Sequence, residues 1–146
     1  MTFHHNGSRV LHAGVTAEPV SIAQLTAMVR QPGFGAVFSF EGVVRDHDHD
    51  REVTTLEYVA HPSASDVIAR LAAECSVSHP DCVLAVAHRT GVLAIGEAAF
   101  VAVVASAHRG VAFSACFDLV ETVKAELPVW KSQHFADGTS EWVNCA

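Results

Sequence analysis

The run "AAFVAVVASA", Ala98–Ala107, constrains the fold of this chain more than any other stretch. It carries no charge, so whatever it forms must be covered on every side. As a helix it is far too short to cross a bilayer. Its small and β-branched residues read instead as a strand buried in a sheet. The rest of the chain must therefore supply neighbouring strands and covering layers.

Those layers are legible on either side of it. "RVLHAGVT" (Arg9–Thr16) reads as a first short strand. "SIAQLTAMVR" (Ser21–Arg30) has a serine cap and apolar Ile22, Leu25, Met28 and Val29, the pattern of an amphipathic helix. "QPGFG" breaks the chain. "GAVFSFEGVVRD" (Gly35–Asp46) reads as a strand running into the charged loop "DHDHDRE", and "EVTTLEYVA" (Glu52–Ala60) alternates cleanly. Two strands joined by a short polar loop predict a hairpin. "SASDVIARLAAECSV" (Ser63–Val77) is a second helix, with Val67, Ile68, Leu71 and Cys75 on one stripe. "CVLAVAHRTGVL" and "EAAFVAVVAS" are two more strands, with turns at Gly91 and Gly96. The last helix, "GVAFSACFDLVETVKAEL", stops at Pro128, which removes an amide donor and disfavours helix in the residue before it. The order β-α-β-β-α-β-β-α mixes hairpins and helices without strict alternation. It predicts an α+β fold, an antiparallel-rich sheet covered by helices, in one domain spanning residues 1–146.

Charge and composition narrow the function. Acids outnumber Lys plus Arg by 16 to 9, a formal charge of −7. Such a surface repels phosphodiester backbones, so nucleic acid is not an expected partner. The opening "MTFHHNGSRV" is polar where a secretory signal needs an apolar core, and no stretch reads as a membrane span. The expected location is the cytoplasm. Cys75, Cys82, Cys116 and Cys145 form no C-x-x-C pair and read as reduced, buried thiols. His47 and His49 in "DHDHD" could bind a metal adventitiously. A real site needs ligands fixed by elements and a second shell, so the loop is read as solvated and no metal is expected.

An anionic ligand must then find a local concentration of cations, and three places offer one. Arg45 ends a strand in "VVRDHDHDR". His108 and Arg109 in "SAHRG" sit where the last helix begins, with Ser106 a candidate cap; a helix N-terminus with an arginine suits an anion, although such a junction can equally be a solvated loop. Lys124 and Lys131, in "KAELPVWK", are all the lysines the chain has. Val120, Val123 and Leu127 border the stripe of Lys124, and Pro128 forces Lys131 onto a separate segment. A lone lysine there would most simply be snorkelling. A pair close to His108 and Arg109 could instead supply a base, a nucleophile or an electrostatic clamp.

The stretches "GAVFSFEGVVRDHDHDREVTTLEY", "AHRTGVLAIGEAAFVAVVASAHRGVAFSACFDLVETVKAELPVWK" and "EWV" resemble the large, catalytic subunit of molybdopterin synthase. The signatures F-x-G-x-V-R, H-R-x-G-x-L-x-x-G-E, S-x-H-R and K-x-x-x-P-x-W-K occur in the family's order from Gly35 to Val143. The resemblance implies an α+β, hammerhead-like fold. It also implies a sulfurtransferase that makes the molybdopterin dithiolene from cyclic pyranopterin monophosphate, with no resident cofactor. The implied sulfur donor is the C-terminal Gly-Gly thiocarboxylate of a small ubiquitin-like subunit. The implied assembly is a homodimer at the centre of a heterotetramer. By motif, Lys124 matches the catalytic lysine and Lys131 the second active-site lysine. Arg45, His108 and Arg109 match residues lining the substrate pocket, and Phe40 an aromatic beside it. The chain departs from the family at His61–Ser65, and reads Asn-Cys-Ala where many members carry an arginine after the W-V pair. Two other readings fit the residues: a non-catalytic or weakly active paralogue that binds a ubiquitin-like carrier, and a Schiff-base enzyme built on Lys124.

Overall fold

The computed structural model describes residues 9–144. The elements run β1 (Val10–Thr16), α1 (Ile22–Val29), β2 (Ala36–Val43), β3 (His47–Asp48), β4 (Arg51–Ala60), α2 (Ala64–Ser78), β5 (Cys82–Arg89), β6 (Gly91–Ala94), β7 (Ala98–Ser106), α3 (Arg109–Glu126), β8 (Val129–Phe135) and β9 (Ser140–Asn144). The fold is α+β and rich in antiparallel pairing, and all eight expected elements occur in their expected order.

The strands form two sheets. The first has the order β1-β5-β7-β2, with only β1 and β5 parallel. Strands β5 and β7 are its centre and are buried along nearly their whole length, as the uncharged run requires. Val83, Ala85, Ala87, Val101, Val103 and Ala105 pack on Leu25 and Val29 of α1. The alternate residues, Leu84, Val86, Ala102 and Val104, face the opposite way, onto Ile68 and Leu71 of α2 and Leu119 and Val123 of α3. A strand pair covered by helices on both faces has no solvated side, so its sequence shows no alternation.

The second sheet, antiparallel throughout, has the order β3-β4-β8-β9, with β6 also on β4. Leu56 and Tyr58 of β4 turn into the core while Thr54 and Val59 remain exposed. Its side-chain alternation is that of a half-covered sheet.

The predicted hairpin between the segments 35–46 and 52–60 does not form. β2 pairs with β7, and β4 with β6 and β8. β2 belongs with the helix-covered β7, whereas the alternating β4 needs a partner with one open face. The polar loop folds on itself instead: His49 and Asp50, at φ 51° and 63°, make the tight turn that lays β3 on the start of β4. The long segment "CVLAVAHRTGVL" divides at Thr90, placing β5 and β6 in different sheets.

Helix ends follow local chemistry. Ser21 caps α1, its hydroxyl accepting from the Gln24 amide at 3.1 Å. Ser106 does not cap α3: the N-cap position is His108, without a side-chain bond, and Ser106 Oγ donates to the Asp81 carbonyl. At the other end of α3, Leu127 is extended (φ −68°, ψ 123°) before Pro128, as the proline dictates. The chain then enters β8. Cys75, Cys82 and Cys116 are free and buried, whereas Cys145 lies outside the described residues.

Candidate functional site

Lys131 lies on β8 directly opposite Tyr58 of β4, and Tyr58 is opposite Gly91 of β6. Directly paired residues put their side chains on the same face of a sheet, so Lys131 and Tyr58 both point toward the first sheet. Tyr58 meets that sheet at His88, the two rings edge to face with centroids 4.9 Å apart. His88 also stacks on Phe100, its partner on β7, at 5.8 Å. Phe100 in turn contacts Phe40 of β2 at 5.6 Å. An aromatic seam thus joins the two sheets, with Lys131 at one side and Phe40 at the other.

Lys124 approaches the same seam from α3. Burial pushes the His88 imidazole down to about 4, and the Lys124 charge contributes to that shift. Val120, Val123 and Leu127 are buried around the Lys124 stripe, so α3 sets its height over the core. One turn earlier Val120 and Glu121 join Phe38, Phe40, Phe113 and Phe117 in lining a groove of about 270 Å³.

Arg45 extends the cationic side. Val44 is fixed between Glu97 and Gly96 by two backbone hydrogen bonds of 3.0 and 2.9 Å, so Arg45 emerges from an anchored point. It pairs with Asp48 at 3.6 Å, and the buried Gln133 donates to the other Asp48 oxygen at 2.7 Å. The Gln133 bond chiefly holds the Asp48 carboxyl below its usual range, helped by the charges of His49, Lys131 and Arg45. Gln133 and Lys131, two residues apart on β8, face the same side. Arg45, Asp48, Gln133, Lys131, Tyr58 and His88 therefore follow one another from the exposed loop into the seam, and Lys124 stands exposed on α3, close enough for its charge to reach His88.

His108 and Arg109 stand elsewhere. They are exposed at the start of α3, where a shallow cleft is also lined by Gly35 and Ala36. Fifteen residues of helix separate Arg109 from Lys124, about 22 Å along the axis. Within one chain Lys124, Lys131, Arg45 and Phe40 share one end of the molecule, and His108 and Arg109 occupy the other. Among the described residues, no group of three or more His, Cys, Asp or Glu is placed to hold a metal, and no helix is long and apolar enough to cross a membrane.

Tyr58, His88, Asp48 and Gln133 were not among the residues singled out from the sequence. Tyr58 sits on the inward face of an alternating strand, and His88 is a polar residue in the otherwise apolar "CVLAVAH". Either pattern is a usable signal. Asp48 and Gln133 had none, because their pairing joins segments 85 positions apart.

Fold and site together define a class: an α+β subunit with a cationic site at the junction of two sheets and a lysine contributed by the last helix. Residues 15–126 match the MoaE protein family model, and the chain belongs to this family, that of the molybdopterin synthase catalytic subunits. It is 37% identical over 130 residues to molybdopterin synthase catalytic subunit 1 of Mycobacterium tuberculosis, covering 88% of each chain. It is 33% identical over 132 residues to the catalytic subunit of a Nostoc species, covering 89% of this chain and 80% of the relative. Among solved structures, the crystal structure of molybdopterin synthase from Staphylococcus aureus superposes with a TM-score of 0.84 at 29% identity, covering 90% of this chain and 96% of that one.

Proposed function

We propose that this protein is the catalytic subunit of a cytoplasmic molybdopterin synthase. It would transfer sulfur from the C-terminal thiocarboxylate of a small ubiquitin-like subunit to cyclic pyranopterin monophosphate. The observation that carries the reading is the arrival of Lys124 and Lys131, from a helix and from the strand beyond Pro128, at one aromatic seam. A thiocarboxylate entering there would meet ammonium groups that hold its charge, polarise its carbonyl and move protons as sulfur attacks the pterin side chain. Phe40 and the apolar groove beside it would take the uncharged part of the entering tail, and Arg45 would hold anionic substrate at the rim.

His108 and Arg109 fit a phosphate, with an arginine and the free amides of a helix start. Their distance from Lys124 within one chain gives them a place in the same site only if a second copy supplies them. The reading therefore includes a central homodimer, flanked by two small subunits, in which each pocket is shared.

Lys124→Ala decides the catalytic assignment. Mixed with thiocarboxylated small subunit and cyclic pterin, it should form product at least about a hundredfold more slowly than wild type, with an unchanged thermal transition. A fully active variant would sink the assignment, and wild type that binds the small subunit yet makes no product would leave only a binding module.

A further inference from the structure

Gln133 lies directly opposite Leu56 of β4, on the inward face of β8, and is buried. A leucine or valine would pack there at less cost than a side-chain amide, which must find partners once it leaves water. Its Nε2 donates to Asp48 Oδ2 at 2.7 Å. A carboxylate only accepts, so the amide nitrogen is the atom that faces it. The Asp48 side chain is itself only 17% exposed, and its other oxygen lies 3.6 Å from the Arg45 guanidinium. The exposed His49 stands 3.8 Å from that same oxygen.

Arg45 needs such a restraint. Its side chain is 73% exposed, and a long arm free in water must be ordered each time an anion binds, which costs side-chain entropy. Backbone bonds fix Val44 but leave the arm of Arg45 free. Asp48, three residues on, supplies a second point, and Gln133 fixes Asp48 in turn to β8. Lys131 projects from the same face of that strand, two residues before Gln133. The bridge thus joins Arg45 to the strand that carries Lys131. On charge alone Asp48 is badly placed. A carboxylate beside Arg45, and within reach of the Lys131 charge, weakens the pull of both on an anionic substrate. An exposed ion pair adds little to stability either. What the carboxylate offers a cationic site is direction.

We propose that Asp48 is a positioning residue for the anionic substrate: anchored by the buried Gln133 amide, it holds the Arg45 guanidinium on the side of β8 that carries Lys131, where one anion meets both. For its consequence in catalysis this rests on the sulfur-transfer reading, but the hold on Arg45 is measured on the protein alone.

Three variants separate position from charge. Asp48→Asn keeps an oxygen for the Gln133 amide and removes the pull on Arg45. Gln133→Leu leaves the carboxylate and removes its anchor. Arg45→Ala removes the group through which both act. In protein labelled with nitrogen isotope in arginine, the Arg45 Nε–H should be more ordered in wild type than that of the exposed Arg30. In D48N and in Q133L it should fall to the Arg30 level. With the small subunit and cyclic pterin, each of these two variants should raise KM about fivefold, with kcat within about twofold of wild type. Charge alone predicts the reverse for D48N, a lower KM. Combined with R45A, D48N should raise KM no further, because Asp48 acts through Arg45. A wild-type Arg45 as mobile as Arg30, an unchanged or lower KM in D48N, or an equal rise from D48N with Arg45 absent would each overturn the proposal. If wild type makes no product the sulfur-transfer reading fails, and the arginine order parameters still judge Asp48. If either D48N or Q133L does not fold, the other carries the decision.

Discussion

His88 makes the sharpest prediction about acid stability. Its folded-state value of about 4 lies below the ordinary histidine value, so the unfolded chain binds the proton more readily. Its contribution to stability is present above about pH 6.5 and is lost as pH falls toward about 4. Across that window the wild type should lose about 3 kcal/mol relative to H88Q, at about 1.4 kcal/mol per pH unit. Urea unfolding of both proteins at several pH values checks this, because every other titrating group is common to the two. Parallel stability curves would show that the ring is not sealed from solvent. Asp46, Asp48 and Asp137 also sit below the usual carboxylate range. They are shared by both proteins and cancel in the difference.

At the scale of elements, two short devices deliver the lysines and their neighbours. Pro128 ends α3 one turn beyond Lys124 and hands the chain to β8, so the two lysines approach the seam from different elements. The turns around β6 hold its register on β4: Gly91 has φ 98°, and Glu97 accepts from the Ala94 amide at 2.8 Å while pairing with Arg89. Apart from its own residue and its two chain neighbours, no atom lies within 4 Å of a methyl group built on Gly91, so any cost of Gly91→Ala comes from the backbone alone. It should destabilise by about 1–3 kcal/mol, read as a lower urea midpoint. Gly110, inside α3 with equally open space and no positive φ, is the control: Gly110→Ala should be neutral or stabilise by up to about 1 kcal/mol. Equal effects at both positions would refute the conformational account.

At the scale of the whole molecule, the spacing of the two cationic groups argues for a shared site. If Arg109 of one copy serves Lys124 of another, K124A and Arg109→Ala should each be nearly inactive alone. Unfolded together, refolded and assayed, they should regain about a quarter of the wild-type rate, since half of random dimers are mixed and each holds one intact site. No recovery, with mixed dimers shown to form, would place Arg109 outside the Lys124 pocket.

The sequence by itself determined the eight principal elements, the buried central strands and the family. Each rests on local chemistry: an uncharged β-branched run, helical stripes at three- and four-residue spacing, and a proline that no helix can pass. It also marked Lys124, Lys131, Arg45 and Phe40, because their motifs are short and contiguous. Strands β8 and β9 were not legible in the sequence, since the inward face of β8 carries Lys131 and Gln133 where an apolar residue would announce a strand. Tertiary structure alone decided that β2 and β4 part into different sheets. Which strands pair depends on what covers their faces, and that cover comes from helices distant in sequence. For the same reason only the fold could bring His88 and Tyr58 between the lysines, and separate His108 and Arg109 from them by the length of a helix.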